Sequence, residues 1–78
     1  MKVWVARDSD GGVYMYANKP WRQEIDKMWL DSSTYQDYKY EDNGCIQQLP
    51  VDSFPELTWE DEPLEIDRRD KRLTIWIG

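Results

Sequence analysis

The chain has 78 residues with sixteen acidic side chains, ten basic ones, no His and one Cys, so its formal net charge is −6. A chain of this length forms one domain, 1–78, with a small core. The lone Cys45 excludes an internal disulfide, and a structural zinc site needs further Cys or His ligands. No apolar run approaches the roughly 20 residues of a membrane span, so we expect a cytoplasmic protein without membrane contact.

The charge is distributed unevenly along the sequence. Residues 1–30 carry a net charge of +1, residues 31–67 carry −10, and residues 68–78 carry +3. An acidic middle disfavours binding to duplex nucleic acid, which depends on contacts between cations and phosphates. It favours a protein partner with a basic surface.

The first predicted element is a β-hairpin. Residues 2–8 and 13–17 are rich in Val, Trp and Tyr, and the turn 9–12 between them contains two glycines that permit a tight reversal. A two-residue turn in this segment places Arg7 opposite Tyr14. Both faces of the hairpin carry apolar groups. We therefore expect either that other parts of the chain pack on both faces, or that one face binds a partner.

The next segment gives mixed signals. Trp21 and Ile25 recur at a helical spacing after a proline that a first helical turn tolerates. Residues 27–31 equally fit a short strand centred on Trp29. We predict a helical turn near residues 21–26 that leads into a strand near residues 27–31.

A second hairpin is predicted around Asn43-Gly44, a pair suited to a type I′ turn. The strand before this turn contains Tyr35, Tyr38 and Tyr40 with little aliphatic bulk. These tyrosines are therefore typical of surface aromatic residues.

The last third of the chain combines a broken segment with a final hairpin. Residues 49–63 contain three prolines, which interrupt regular ladders, and Phe54 and Leu57 are predicted to plug the core. Residues 64–67 and 73–77 are predicted to be the two strands of this hairpin. Its terminal strand is either paired inside the sheet or an open edge through which a homo-oligomer forms.

These elements together predict a mainly β fold. We expect a small antiparallel sheet or a barrel-like β-meander of two or three hairpins, with one short helical turn. The sequence contains no internal repeat and no low-complexity linker.

Three short stretches carry a resemblance to a known group of proteins. They are WVARDSDG at 4–11 with the tyrosines that follow, the KPWR step at 19–22, and the tract from LP at 49–50 to FPELTWE at 54–60. The chain resembles small uncharacterised proteins encoded by phages, prophages and mobile elements. The resemblance implies a host-cell setting in which such proteins inhibit host factors, including antiviral defence, and it transfers no catalytic residue.

No catalytic or metal-binding pattern is present in the sequence. The DSDGG stretch at 8–12 opens like a calcium-binding loop, but the twelfth position of that loop is Lys19 instead of Glu. A plain hairpin turn is the interpretation. We predict a protein that is not an enzyme and that needs no metal or cofactor.

The principal functional hypothesis is an acidic inhibitor that docks on a basic surface of a host defence or nucleic-acid-handling protein. Carboxylates steer such an encounter, and aromatic anchors slow dissociation. The predicted partner-binding residues are aromatic or acidic: Tyr35, Tyr38, Tyr40, Glu41, Asp42, Glu60, Asp61, Glu62 and Trp76.

Two alternatives stay open. One is an oligomeric sponge that sequesters a nucleotide immune signal, with indole rings stacking on the base and arginines holding phosphates. The residues predicted for this ligand site are Trp21, Trp29, Arg68, Arg69 and Arg72. The other is an accessory protein of a virion or of its assembly. Aromatic patches and a terminal strand would provide the protein contacts that this role needs.

Overall fold

A computed structural model describes residues 1–32 and 43–73 of the chain. The strands in these ranges are β1 Lys2–Arg7, β2 Val13–Tyr16, β3 Trp21–Gln23, β4 Met28–Leu30, β5 Gln47–Leu49 and β6 Leu64–Asp67. They form a four-stranded antiparallel sheet in the order β5-β2-β1-β6 and a two-stranded antiparallel sheet of β3 and β4. One helical turn spans 71–73. The predicted mainly β class is confirmed, as two open sheets and not as a closed barrel in the described ranges.

The predicted first hairpin is present, but its predicted register is wrong by one residue. Arg7 pairs with Val13, not with Tyr14. The backbone N–H of Asp8 donates to the carbonyl of Gly12 at 2.8 Å, which leaves a three-residue loop closed by Gly11 at φ 96°. A loop of odd length exchanges the faces that a two-residue turn would give.

This register separates two apolar clusters on opposite faces of the four-stranded sheet. Neighbouring residues of β1 fall into different clusters, Val5 in one and Ala6 in the other, because side chains alternate along a strand. The first cluster consists of Val3, Val5, Val13, Met15, Leu49, Phe54, Leu57, Ile66 and Leu73. The second consists of Ala6, Tyr16 and Trp29, with Trp4, Tyr14, Cys45 and Trp59 packed against it. The hairpin is thus covered on both sides.

The segment 21–30 is a hairpin, so the helical turn predicted at 21–26 is wrong. Trp21 pairs with Leu30, and the chain reverses through residues 24–27 with Lys27 at φ 55°. Ile25 lies in this reversal and is 90% exposed. Its helical spacing from Trp21 therefore does not mark a shared buried face, whereas the strand predicted near 27–31 is present as β4.

Arg7 holds the proline-containing segment 50–63 against the four-stranded sheet. Its guanidinium donates five hydrogen bonds of 2.6 to 3.2 Å, one to the carbonyl of Gly11 and four to carbonyls of residues between 51 and 57. Phe54 and Leu57 are buried, as predicted. This segment thereby covers one face of the sheet, although it contains no strand.

The predicted last hairpin is only partly right. β6 forms where residues 64–67 were predicted to be a strand, but it pairs with β1 through Val3 and Ile66. Leu73 lies in the helical turn and is fully buried, so it does not begin a strand. The remainder of that predicted strand, and the arm predicted before Asn43-Gly44, lie outside the described residues. No helix in the described ranges is long and apolar enough to cross a membrane.

Candidate functional site

A pocket of about 410 Å³ lies between the β1–β2 turn and the β3–β4 turn. This volume falls within the range of small-ligand sites, roughly 300 to 1,000 Å³. Most of the residues that line it are polar or charged, and Tyr14 and Met28 add apolar surface: Asp8, Ser9, Asp10, Tyr14, Asp26, Lys27, Met28 and Asn43. Three carboxylates from two separate turns therefore converge on one space, with one ammonium among them.

Four hydrogen bonds fix the two turns against each other. Ser9 donates from its backbone N–H at 3.2 Å and from its hydroxyl at 2.9 Å to the carbonyl of Lys27. Trp29 donates its backbone N–H to Asp8 Oδ1 at 2.9 Å and its indole N–H to the carbonyl of Arg7 at 3.0 Å. The walls of the pocket are thus set by the fold before any ligand arrives.

Asp8 is the most buried carboxylate in this wall, with 7% of its surface exposed. Burial raises the pKa of Asp8 from 3.8 to about 6, the hydrogen bond from Trp29 opposes that rise, and the nearby charge of Asp10 adds to it. Oδ1 accepts the bond from Trp29, and none of the residues in 1–32 and 43–73 donates a hydrogen bond to Oδ2. Burial makes the charged form of this carboxyl costly, and Oδ2 is left to bond to solvent or to a ligand.

The other groups of the wall are held by local bonds. Asp10 Oδ1 accepts the N–H of Gly12 at 2.9 Å, and Asp26 Oδ2 accepts from the side-chain amide of Gln23 at 2.8 Å. Lys27 adopts a left-handed backbone that a side chain rarely takes, so surrounding contacts must hold it there. Burial, then the charges of nearby acidic groups, raises the pKa of Tyr14.

The described part of the chain contains no group of three or more His, Cys, Asp and Glu side chains arranged to hold a metal ion. The DSDGG stretch instead forms the three-residue hairpin loop, in which Asp8 and Asp10 bind backbone N–H groups through one oxygen each. Asp10 therefore shapes the turn, and Asp8 ties the turn to β4.

The predicted acidic residues Glu60, Asp61 and Glu62 lie in an exposed loop that follows Trp59. Asp61 Oδ2 accepts the N–H of Thr58 at 2.8 Å and its hydroxyl at 3.1 Å, which shapes the loop. Glu62 lies 3.6 Å from the guanidinium of Arg22. The loop thus keeps its carboxylates at the surface and anchors them to β3.

Arg22 packs against two indole rings, those of Trp29 and Trp59, which contact each other edge to face with their centroids 5.7 Å apart. Its guanidinium carbon lies 4.5 Å from the ring centroid of Trp29 and 4.5 Å from that of Trp59, and it donates to the carbonyl of Trp59 at 2.6 Å. Trp29 is 2% exposed, so its ring serves packing and offers no open face for a base. Trp21, the other predicted stacking residue, is half-buried on β3.

The predicted arginine cluster surrounds the turn after β6. Arg68 and Arg69 are exposed. Arg72 donates to Asp70 at 3.0 Å, holding the pKa of that carboxyl down to about 2, and its guanidinium lies 4.9 Å from the ring of Phe54. Phe54 belongs to the apolar cluster on the face opposite Trp29, so the fold does not unite that indole with Arg72.

Six predicted partner-binding residues lie outside the described ranges: Tyr35, Tyr38, Tyr40, Glu41, Asp42 and Trp76. Sequence reasoning missed the pocket because it treated residues 8–12 only as a turn and residues 21–26 as helical. Comparison with protein-family models, with curated proteins and with solved structures finds no match to this chain.

Proposed function

We propose that this chain is a non-catalytic binding protein that docks on a basic surface of a protein partner. The observation that carries the proposal is the preformed pocket in which Asp8, Asp10 and Asp26 converge. Fixed carboxylates of this kind complement Lys and Arg side chains and speed encounter with a basic partner.

An acidic surface extends from the pocket along the β3–β4 hairpin. Glu24 and Asp26 are exposed at its tip, and Ile25 between them is 90% exposed. An apolar side chain flanked by carboxylates offers the combination of a desolvated contact and a charged rim that protein interfaces use.

Arg22 connects this tip to the loop that follows Trp59. Its guanidinium lies 4.0 Å from Glu24 and 3.6 Å from Glu62. Two cations, Arg22 and Lys27, lie among five exposed carboxylates, so the region has a net negative charge. We call the exposed carboxylates of the hairpin tip and the loop the acidic surface: Glu24, Asp26, Glu60, Asp61 and Glu62.

The resemblance to small phage and mobile-element proteins supplies the setting for this proposal. In that setting the partner is a host protein with a basic groove, such as a defence or nucleic-acid-handling protein. Occupying the groove inhibits it, because the carboxylates compete with the phosphates that the groove binds.

The experiment is affinity capture from a bacterial host lysate, followed by kinetics with the purified captured protein. The test variant neutralises the loop with Glu60→Gln, Asp61→Asn and Glu62→Gln; the Asn retains an oxygen for the bond from Thr58. The control variant neutralises three exposed carboxylates elsewhere, with Asp52→Asn, Glu56→Gln and Glu65→Gln.

We expect the loop variant to associate more slowly than wild type and to show a weaker dependence on salt, because it has lost steering charges. The control variant carries the same net charge and should bind more like wild type. Equal association rates for the loop variant and the control variant would contradict a specific role for the acidic surface.

A further inference from the structure

We propose that the pocket between the two turns receives one arginine side chain of the protein partner, with its guanidinium against Asp8. This inference rests on the proposed function and names the chemical group that the site recognises.

The carboxylate of Asp8 has an oxygen that is open to a ligand. Asp8 is 7% exposed as a residue and lines the pocket, and only Oδ1 of its carboxylate accepts a hydrogen bond from the described residues. A buried carboxylate is stabilised when a cation supplies the missing donors. A guanidinium brings five N–H groups, so it can bond Oδ2 and still reach a neighbouring acceptor.

The charged groups around Asp8 are mostly acidic. Asp10 and Asp26 share the wall with it, and Lys27 is the one basic residue among the described residues of the lining. Lys27 forms no ion pair with a carboxylate in the described ranges. Acidic side chains therefore outnumber basic ones in the described lining of the pocket, and an anionic ligand such as a phosphate is disfavoured.

The wall of the pocket also carries an aromatic ring and an apolar side chain. The half-buried ring of Tyr14 and the thioether of Met28 line the same pocket. A guanidinium is planar, weakly hydrated and stacks on aromatic rings, whereas an ammonium is a compact and strongly hydrated charge. The combination of a carboxylate and an aromatic ring therefore selects arginine over lysine.

The first test is an NMR titration of the ¹⁵N-labelled chain with N-acetylarginine methylamide. The matched probe is the citrulline analogue, which has nearly the same shape without the charge. We expect saturable shifts of the Ser9, Lys27 and Trp29 amides with arginine and none with citrulline. The Kd should be on the order of millimolar, because so small a ligand gains few contacts.

The Asp8→Asn variant should bind the arginine probe about tenfold more weakly, because it loses a charge-assisted pair. The exposed Asp52→Asn variant should bind it as wild type does. Lowering the pH through 6 should weaken binding to wild type more than to Asp8→Asn. That comparison separates Asp8 from Asp10, Tyr14, Asp26 and Lys27, which face the same space.

The second test uses the captured partner and separates this inference from the proposed function. Weaker binding of the partner to Asp8→Asn, together with arginine-specific shifts, supports a partner arginine in the pocket. Arginine-specific shifts without any effect of Asp8→Asn on the partner would show a site for a free cation and overturn the assignment.

Equal shifts with arginine and citrulline would overturn the inference as well. If the loop variant binds the partner poorly and Asp8→Asn binds it normally, only the pocket inference fails and the acidic surface stands. If neither variant changes the binding of the partner, both the pocket inference and the proposed function fail.

Discussion

The buried charge of Asp8 makes a quantitative prediction about stability. Its pKa is about 6 in the folded chain against 3.8 in an ordinary environment. Between these pH values the folded chain holds a proton that the unfolded chain releases, so stability falls as pH rises through this interval and then levels off. A shift of about two pKa units corresponds to about 3 kcal/mol of folding free energy. Because solvent reaches the pocket, we expect the loss of stability across this interval to be about 1–3 kcal/mol.

Asp8→Asn removes the charge and keeps an oxygen for the N–H of Trp29. Above pH 7 we expect the variant to be more stable than wild type by about 1–3 kcal/mol, with the difference shrinking towards pH 4. The assay is urea unfolding followed by Trp fluorescence across this pH range. The exposed Asp52→Asn serves as the control, since it removes the same charge from the surface.

The stability difference between Asp8→Asn and wild type should therefore depend on pH, whereas that of the control should stay flat. A constant difference from pH 4 to pH 8, or a variant less stable than wild type at pH 8, would refute the reasoning. A stabilised variant that also loses arginine binding would show that the charge serves recognition at the expense of stability.

Three further predictions concern the framework of the site. Arg7→Lys should cost about 2–4 kcal/mol in urea unfolding, because an ammonium cannot span five carbonyls; an unchanged midpoint would show that the guanidinium clamp is unimportant. Arg22→Lys should cost about 1–2 kcal/mol and alter the near-UV circular dichroism of Trp29 and Trp59, and identical spectra would contradict the contact of the guanidinium with both rings. Gly11→Ala should cost about 1 kcal/mol or more because φ there is 96°, and a neutral outcome would show that the loop adopts another conformation.

Local patterns predicted the first hairpin and the strand at 28–30, and they failed where longer-range contacts decide. The loop of residues 9–11 depends on the bond between Asp8 and Gly12, so a one-residue error in turn length reversed the predicted faces. Trp21 and Ile25 suggested a helix by spacing alone. The fold uses the first as a strand residue and leaves the second exposed at the reversal.

The candidate site was beyond the reach of sequence patterns for a related reason. Residues 8–10 and 26–28 are separated along the chain, and each segment by itself resembles an ordinary polar turn. Two contacts bring them together, those of Ser9 with the carbonyl of Lys27 and of Trp29 with Asp8. The acidity of Glu60, Asp61 and Glu62 was visible in the sequence, but their connection to β3 through Arg22 was not.

A crystal structure of the chain in complex with its captured partner is the most direct measurement of arginine recognition by the pocket. We expect a partner guanidinium within hydrogen-bonding distance of Asp8 Oδ2 and in contact with the ring of Tyr14. A complex in which the partner's basic residues avoid the pocket, or in which an acidic or apolar group fills it, would contradict that expectation.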